Sequence, residues 1–214
     1  MKIDGIIFDI DGTLTSTNEL IFASFNHVMN KYLDKTLTNN EIISMFGPPE
    51  DVILEESMGH NYSSARKDYY NFYSDNHFMA DLYPGIIEVL EYIKSKKIPL
   101  SIFTGKGRDA AIITLKKLKI YDYFDFIMTG DDVKDHKPSP EGILRFVEKF
   151  KLSPENVLMI GDSPSDIKAS HSAGVKIASV LWDSYSKEKV LEMKSDYVFH
   201  TVIELREFLR KNLS

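Results

Sequence analysis

Two aspartates separated by one residue, Asp9 and Asp11, follow a short apolar run, Ile6-Ile7-Phe8, and precede Gly12 and Thr13. Carboxylates held this close repel each other, so a site containing both needs a cation or keeps a proton on one of them. The chemistry is therefore metal binding, proton transfer, or both. Alone, an Asp-x-Asp-Gly run also suits an ordinary turn. It does not suit a calcium loop, which asks for Asp or Asn at 13, Gly at 14 and Glu at 20. Thr13, Leu14 and Leu20 stand there instead.

The elements around these acids follow from apolar periodicity. Ile6 to Phe8 reads as a buried strand, and in open α/β sheets ligands sit at the carboxyl ends of strands. Ser16 or Thr17 can cap a helix carrying Ile21, Phe25, Val28, Met29 and Tyr32. Further helices are expected from about Asn39 to Met45, Glu50 to Met58, and Ser63 to His77. Gly47-Pro48-Pro49 interrupts them, because proline lacks a donor and restricts the residue before it. From Tyr83-Pro84-Gly85 onward the pattern alternates. Strands are expected at Ile98 to Phe103, Phe126 to Met128, Val157 to Ile160, Val175 to Val180 and Tyr197 to Phe199. Helices between them carry Ile86, Val89, Leu90 and Ile93, then Ala111, Leu115 and Leu118, then Ile143, Phe146, Val147 and Phe150. Three more run from Ser163 to Ala173, near Lys187 to Met193, and through Leu205, Phe208 and Leu209. Alternation of this kind predicts an α/β fold, a doubly wound and mainly parallel sheet core covered on both faces. Residues 1–15 and 81–214 form that core, and residues 16–80 are an inserted all-helical cap without strand signal.

If the sheet is parallel, the loops leaving its strands gather on one edge. Strand one delivers Asp9 and Asp11. Thr104-Gly105-Lys106-Gly107-Arg108 comes after the second and offers a hydroxyl and exposed backbone donors at a helix start, an oxyanion-binding arrangement. Gly161-Asp162-Ser163-Pro164-Ser165-Asp166 comes after a later strand and adds two acids, and Lys137 stands ahead of Pro138 and Pro140. Each piece has a plain structural use. Pro164 suits a first helical position, Asp166 opposes a helix dipole, and Lys137 suits a solvated loop. Together they place four acids, a lysine and a hydroxyl at compatible positions.

Composition narrows the classes. The net charge of -6 speaks against a general nucleic-acid or membrane-surface binder, whose footprint is basic. Absence of cysteine excludes thiol nucleophiles, disulfides and cysteine-ligated metals. The apolar run beside Asp4 and Asp9 is too short for a signal peptide or membrane span, which makes the cytoplasm the expected location.

The set Asp9-Ile10-Asp11-Gly12-Thr13, Thr104-Gly105, Lys137-Pro138-Ser139-Pro140 and Gly161-Asp162-Ser163-Pro164-Ser165-Asp166 resembles the four motifs of the haloacid dehalogenase-like superfamily of phosphohydrolases. Within it the chain looks like the phosphoglycolate phosphatase and pyrophosphatase-type branch, with a helical cap after the first motif. The resemblance covers essentially the whole chain. It implies a Rossmann-type core, dependence on Mg2+ and an aspartyl-phosphate intermediate. It implies Asp9 as nucleophile and Asp11 as the acid that protonates the leaving oxygen and then activates water. It implies metal ligation by the Asp9 side chain, the Asp11 carbonyl and Asp162, with Asp166 coordinating or orienting the shell. Thr104, Gly105 and Lys137 would hold phosphate oxygens. The expected partner is a small phosphorylated substrate, with no nucleic acid or membrane.

Asp11 also sorts the reaction. Dehalogenases of this family carry an aromatic residue there and phosphonatases a small one, so an acid favours phosphoester hydrolysis or phosphoryl transfer. A β-phosphoglucomutase-like mutase is an alternative, but its cap loop usually carries an arginine and serines, and here it reads Gly47-Pro48-Pro49-Glu50-Asp51. A regulatory protein phosphorylated on aspartate is another. Gly47 and Pro48 are expected where the cap enters the site. Lys106 and Arg108 are either ligands for a second anionic group or solvated charges. His136 either touches substrate or is a loop residue, His27 is expected to be structural, and Trp182 and the Tyr69 to Tyr73 aromatics to be packing.

Overall fold

The computed structural model describes residues 2–213. Its elements in chain order are β1 (Gly5–Phe8), β2 (Thr15–Ser16), α1 (Asn18–Leu33), α2 (Asn39–Ser44), α3 (Glu50–Met58), α4 (Tyr62–Asp75), β3 (Asp81–Leu82), α5 (Ile86–Ser95) and β4 (Leu100–Phe103). After these come α6 (Arg108–Lys117), β5 (Phe126–Met128), α7 (Glu141–Phe150), β6 (Val157–Gly161), α8 (Pro164–Ala173), β7 (Lys176–Val180), α9 (Lys187–Glu192), β8 (Tyr197–Phe199) and α10 (Val202–Asn212).

Six strands form one sheet in the order β5-β4-β1-β6-β7-β8, and every pairing is parallel. Side chains alternate between its faces, as the strand period requires. Ile6 and Phe8 join Leu100, Ile102, Leu158 and Ile160 against α5, α6 and α10. Ile7 joins Phe103, Val157 and Met159 on the other face against α7 and α8. Both faces are therefore dry, which is why these strands read as near-continuous apolar runs.

Strand order reverses direction between β1 and β6, the switch point where doubly wound sheets open a crevice beyond their carboxyl ends. Asp9 lies one residue past β1, Thr104 one past β4 and Asp162 one past β6.

Helices α1 to α4 pack around Leu20, Phe25, Val28, Leu54, Tyr69 and Tyr73, with Phe25 and Tyr69 rings 5.0 Å apart. His27 stacks on Phe72 at 4.5 Å. Ala110 of α6 belongs to the same cluster, and Thr114 of α6 meets the Tyr73 hydroxyl at 2.8 Å, so the helical block and the sheet's covering helix share packing. One feature departs from expectation: β2 and β3 form an antiparallel pair at the borders of the block, Thr15 opposite Leu82 and Ser16 opposite Asp81. Two residues are too few for alternation to register in sequence. Thr17 occupies the position before α1 but makes no side-chain cap; its hydroxyl donates to Asp11 instead.

Gly142 opens α7 against β4, and a Cβ there would fall on the ring of Phe103, which is 1% exposed. Gly142→Ala, although it favours helix, is expected to cost about 1–3 kcal/mol through overpacking, read as a lower urea midpoint at constant m-value.

Candidate active site

Asp9 is fixed by its own backbone: its N–H donates to the Ile160 carbonyl at 2.9 Å, continuing the β1–β6 ladder one residue beyond the strand. Its carboxylate, buried within the edge, accepts from Lys137 Nζ at 2.9 Å. The same ammonium donates to Asp166 Oδ1 at 2.7 Å and to the Phe103 carbonyl at 3.2 Å. Asp166 is held from its other oxygen by the amide and hydroxyl of Ser163 at 3.1 and 2.6 Å, a capping box at the start of α8. The loop carrying Lys137 is braced by Glu141, which accepts from the amides of Lys134 and Asp135 at 2.9 and 3.1 Å.

Carboxylate oxygens of Asp9, Asp162 and Asp166 lie within 4.8 Å of one another. Like charges and burial leave their mark. Burial, opposed by Lys137 and reinforced by Asp166 and Asp11, pushes Asp9 up to about 6. Asp162 is driven well above the carboxylate range by burial, then by Asp9 and Asp166. Lys137 stays strongly protonated: burial opposes its charge, but Asp166 and Asp9 outweigh it. Three oxygen donors in surplus over one ammonium suit a hard divalent cation. Gly12 has φ +75, and a Cβ there would collide with the Asp162 carboxylate. Glycine thus serves twice, adopting a left-handed turn and admitting Asp162 to the first acidic loop.

Asp9, Gly12, Lys137 and Asp162 line a cavity of about 650 Å³ together with Asp11, Thr104, Gly105, Lys106, Gly47, Pro48 and Glu50. Of the residues expected from sequence, Asp9, Asp11, Thr104, Gly105, Lys137 and Asp162 face it directly, and Asp166 stands behind Lys137. Arg108 does not join them: it pairs with Asp132 and is about half exposed, so it is a surface charge. His136 is not among the cavity's lining residues either, which leaves the loop reading.

Lys106 is neither solvated nor free to meet an anion. Its side chain is 1% exposed, with Nζ 3.2 Å from Asp11, 3.4 Å from Glu50 and 5.2 Å from the Tyr73 ring centre. Burial opposes its charge, yet Asp11, Tyr73 and Glu50 hold it well above the ordinary lysine value. Glu50, at the start of α3, also accepts from the Gly107 amide at 2.6 Å. The helical block thereby grips the loop after β4 by backbone and charge at once. Gly105, Gly107 and Gly130 face this contact, where added Cβ atoms would press on Gly47, Glu50 and Pro49 respectively. Sequence reasoning missed Glu50 as a partner, because an acid after two prolines reads as a first-turn residue. Its signal was proximity to a loop already expected to enter the site.

A crevice at the β1–β6 switch point, walled by four acids and two buried lysines and roofed by a helical insertion, defines a class of acid-centred α/β hydrolases. The family profile of haloacid dehalogenase-like hydrolases matches residues 6–180, and the chain belongs to that family. A protein of Caldanaerobacter subterraneus subsp. tengcongensis provisionally named pyrophosphatase PpaX is 32% identical over 213 residues, spanning 98% of this chain and 96% of that one. Pyrophosphatase PpaX of Bacillus mycoides is 30% identical over 212 residues and 99% of both chains. Among solved structures, a provisionally named phosphoglycolate phosphatase from Haemophilus somnus superposes with a TM-score of 0.87 at 23% identity over 97% of this chain and 98% of that one. A provisionally named β-phosphoglucomutase from Thermotoga maritima gives 0.76 at 29% identity over 99% of both. Family membership together with the two pyrophosphatase relatives makes the chain a phosphohydrolase.

Two outcomes are expected. Lys106→Met leaves Glu50 buried without its cation and should cost about 3–5 kcal/mol, measured by urea unfolding, with part recovered in the double variant carrying Glu50→Gln. Asp9 binds its proton more tightly folded than unfolded, so on its account the metal-free fold loses stability as pH rises from 3.8 through about 6. A divalent cation needs the ionised form, so one bound among these carboxylates should raise Tm more at pH about 7.5 than at about 5.

Proposed function

We propose that the chain is a magnesium-dependent phosphatase acting on a small phosphorylated metabolite through an aspartyl-phosphate intermediate. The observation that carries this reading is Asp9: a carboxylate on the cavity wall, fixed by the sheet, salt-bridged to a lysine and crowded by two other acids. When bound among Asp9, Asp162 and the Asp11 carbonyl, Mg2+ would supply positive charge for the phosphoryl oxygens.

Asp9 attacks phosphorus, the bond to the leaving oxygen breaks, and that oxygen takes the proton of Asp11. Asp11 then removes a proton from water, which attacks the acyl phosphate, releasing inorganic phosphate and restoring the Asp9 carboxylate. Lys137 and Thr104 hold the non-bridging oxygens, with Gly105 offering its backbone. Asp166 keeps Lys137 placed and charged, and its oxygens, already engaged by Lys137 and Ser163, favour shell orientation over direct coordination. Thr17 and Lys106 steady Asp11 from two sides.

The cap loop supports hydrolysis over mutase chemistry. Gly47-Pro48-Pro49-Glu50 brings no cation to hold the second phosphate of a bisphosphate, and Glu50 adds an acid. The names of relatives put pyrophosphate and phosphoglycolate among the substrates to test, with sugar phosphates beside them.

Inorganic phosphate release should depend on magnesium and vanish with chelator. Asp9→Asn should lower kcat on the order of a thousandfold or more while leaving a folded protein by circular dichroism. Undiminished turnover in that variant would overturn the nucleophile assignment, and persistent phosphoprotein without turnover would favour a phospho-switch.

A further inference from the structure

The cavity does not end at the phosphate-binding groups. Beyond Asp11 it runs under the helical block, where its walls are Ile21 and Phe25 of α1, Ile43 of α2, Phe46, Ile53 of α3 and, from the core, Tyr185. At its mouth the rings of Phe46 and Tyr185 both pack on buried Phe22. Phe22 lies 6.5 Å from Phe46 in a stacked arrangement and 6.3 Å from Tyr185 edge-on. Phe46 and Tyr185 are nonetheless 43% and 57% exposed, so two large rings at the rim of a crevice still present apolar surface to water.

Charge along the cavity runs the other way from what a second anionic group needs. The lining cations are Lys106, Lys137 and Lys189, against the acids Asp9, Asp11, Glu50 and Asp162. Lys137 is taken by Asp9 and Asp166, and Lys106 by Asp11 and Glu50. Lys189 is exposed at the rim. A doubly charged leaving group, as in pyrophosphate, would lie beside Glu50 and apolar walls with no buried cation to spare among the described residues, an expensive desolvation. A planar apolar group there would bury against Phe25, Ile53 and Phe46 and cover exposed rings. About 650 Å³ also far exceeds what pyrophosphate or phosphoglycolate fills.

Resting on the phosphatase reading, we propose that the preferred substrate is a phosphate monoester whose alcohol carries a planar ring, such as a nucleoside 5′-monophosphate or an aryl-alkyl phosphate. The ring occupies the pocket between α1, α2 and Tyr185 while the ester oxygen faces Asp11.

The test uses pairs that share the reacting bond and differ in the ring: adenosine 5′-monophosphate against ribose 5-phosphate, and 2-phenylethyl phosphate against ethyl phosphate, with pyrophosphate and phosphoglycolate alongside. Phosphate release is followed with magnesium. In at least one pair kcat/KM for the ring-bearing ester should exceed that of its partner by about tenfold or more. Phe46→Ala should contract that ratio to below about threefold. A ratio near one in both pairs, a ratio untouched by Phe46→Ala and Tyr185→Ala, or a higher kcat/KM for pyrophosphate or phosphoglycolate would overturn the proposal. Absence of turnover with every compound would count against the phosphatase reading alone. Calorimetric affinities of the same pairs for the magnesium-loaded protein would then decide the ring preference by the same tenfold criterion.

Discussion

The Lys137 ammonium is the interaction on which the arrangement of acids depends. It touches Asp9, Asp166 and the Phe103 carbonyl, and so joins the loop after β1, the first turn of α8 and the end of β4 in one contact. Without it the cluster would consist of buried carboxylates alone, and such groups neutralise themselves by taking up protons. Even with it the balance is incomplete, as the raised values of Asp9 and Asp162 show. That residual imbalance makes the cluster one that a cation would relieve. Local devices that look unrelated serve the same end. The Ser163 capping box fixes Asp166, the left-handed Gly12 lets Asp162 approach, and Glu141 ties down the loop before Lys137.

A second buried lysine organises the other side of the crevice. Lys106 sits between Asp11 of the core and Glu50 of the helical block, over the ring of Tyr73. Ion pairs this dry have little margin, since attraction and desolvation nearly cancel and the loss of one member exposes the cost of the others. Arg66 adds an outer link, bridging Asp51 of α3 and Asp109 of α6 at 2.9 and 2.5 Å. The block is thus joined to the sheet through charges graded from buried to exposed, and through the shared packing of Tyr73 on Thr114.

Much of this was legible in the chain itself. The strands at Ile6, Leu100, Val157 and Lys176 announced themselves because a sheet buried on both faces leaves near-continuous apolar runs, and Asp9 and Asp162 stood out because each came directly after such a run. The resemblance to known motifs then assigned them roles. The contacts that escaped have no local signature. Thr17 occupies a capping position yet spends its hydroxyl on Asp11. Glu50 reads as a helix-start acid and binds a loop fifty-seven residues away. Lys106 and Arg108 are alike on paper, two residues apart at a helix start, and burial alone sends one inward to Asp11 and the other out to Asp132.

The two-residue pairing of Thr15–Ser16 with Asp81–Leu82 has a consequence for how such a chain is assembled. It pins the two ends of the helical block at adjacent-strand separation, about 5 Å, so the block leaves and rejoins the core at a fixed socket. Loop-closure entropy grows only slowly with length, and a socket whose ends are already paired accepts inserts of very different size at nearly constant cost. The roof of the crevice can therefore be exchanged or remodelled while the floor and its acids stay in register, which separates the evolution of what is recognised from that of how it is cleaved.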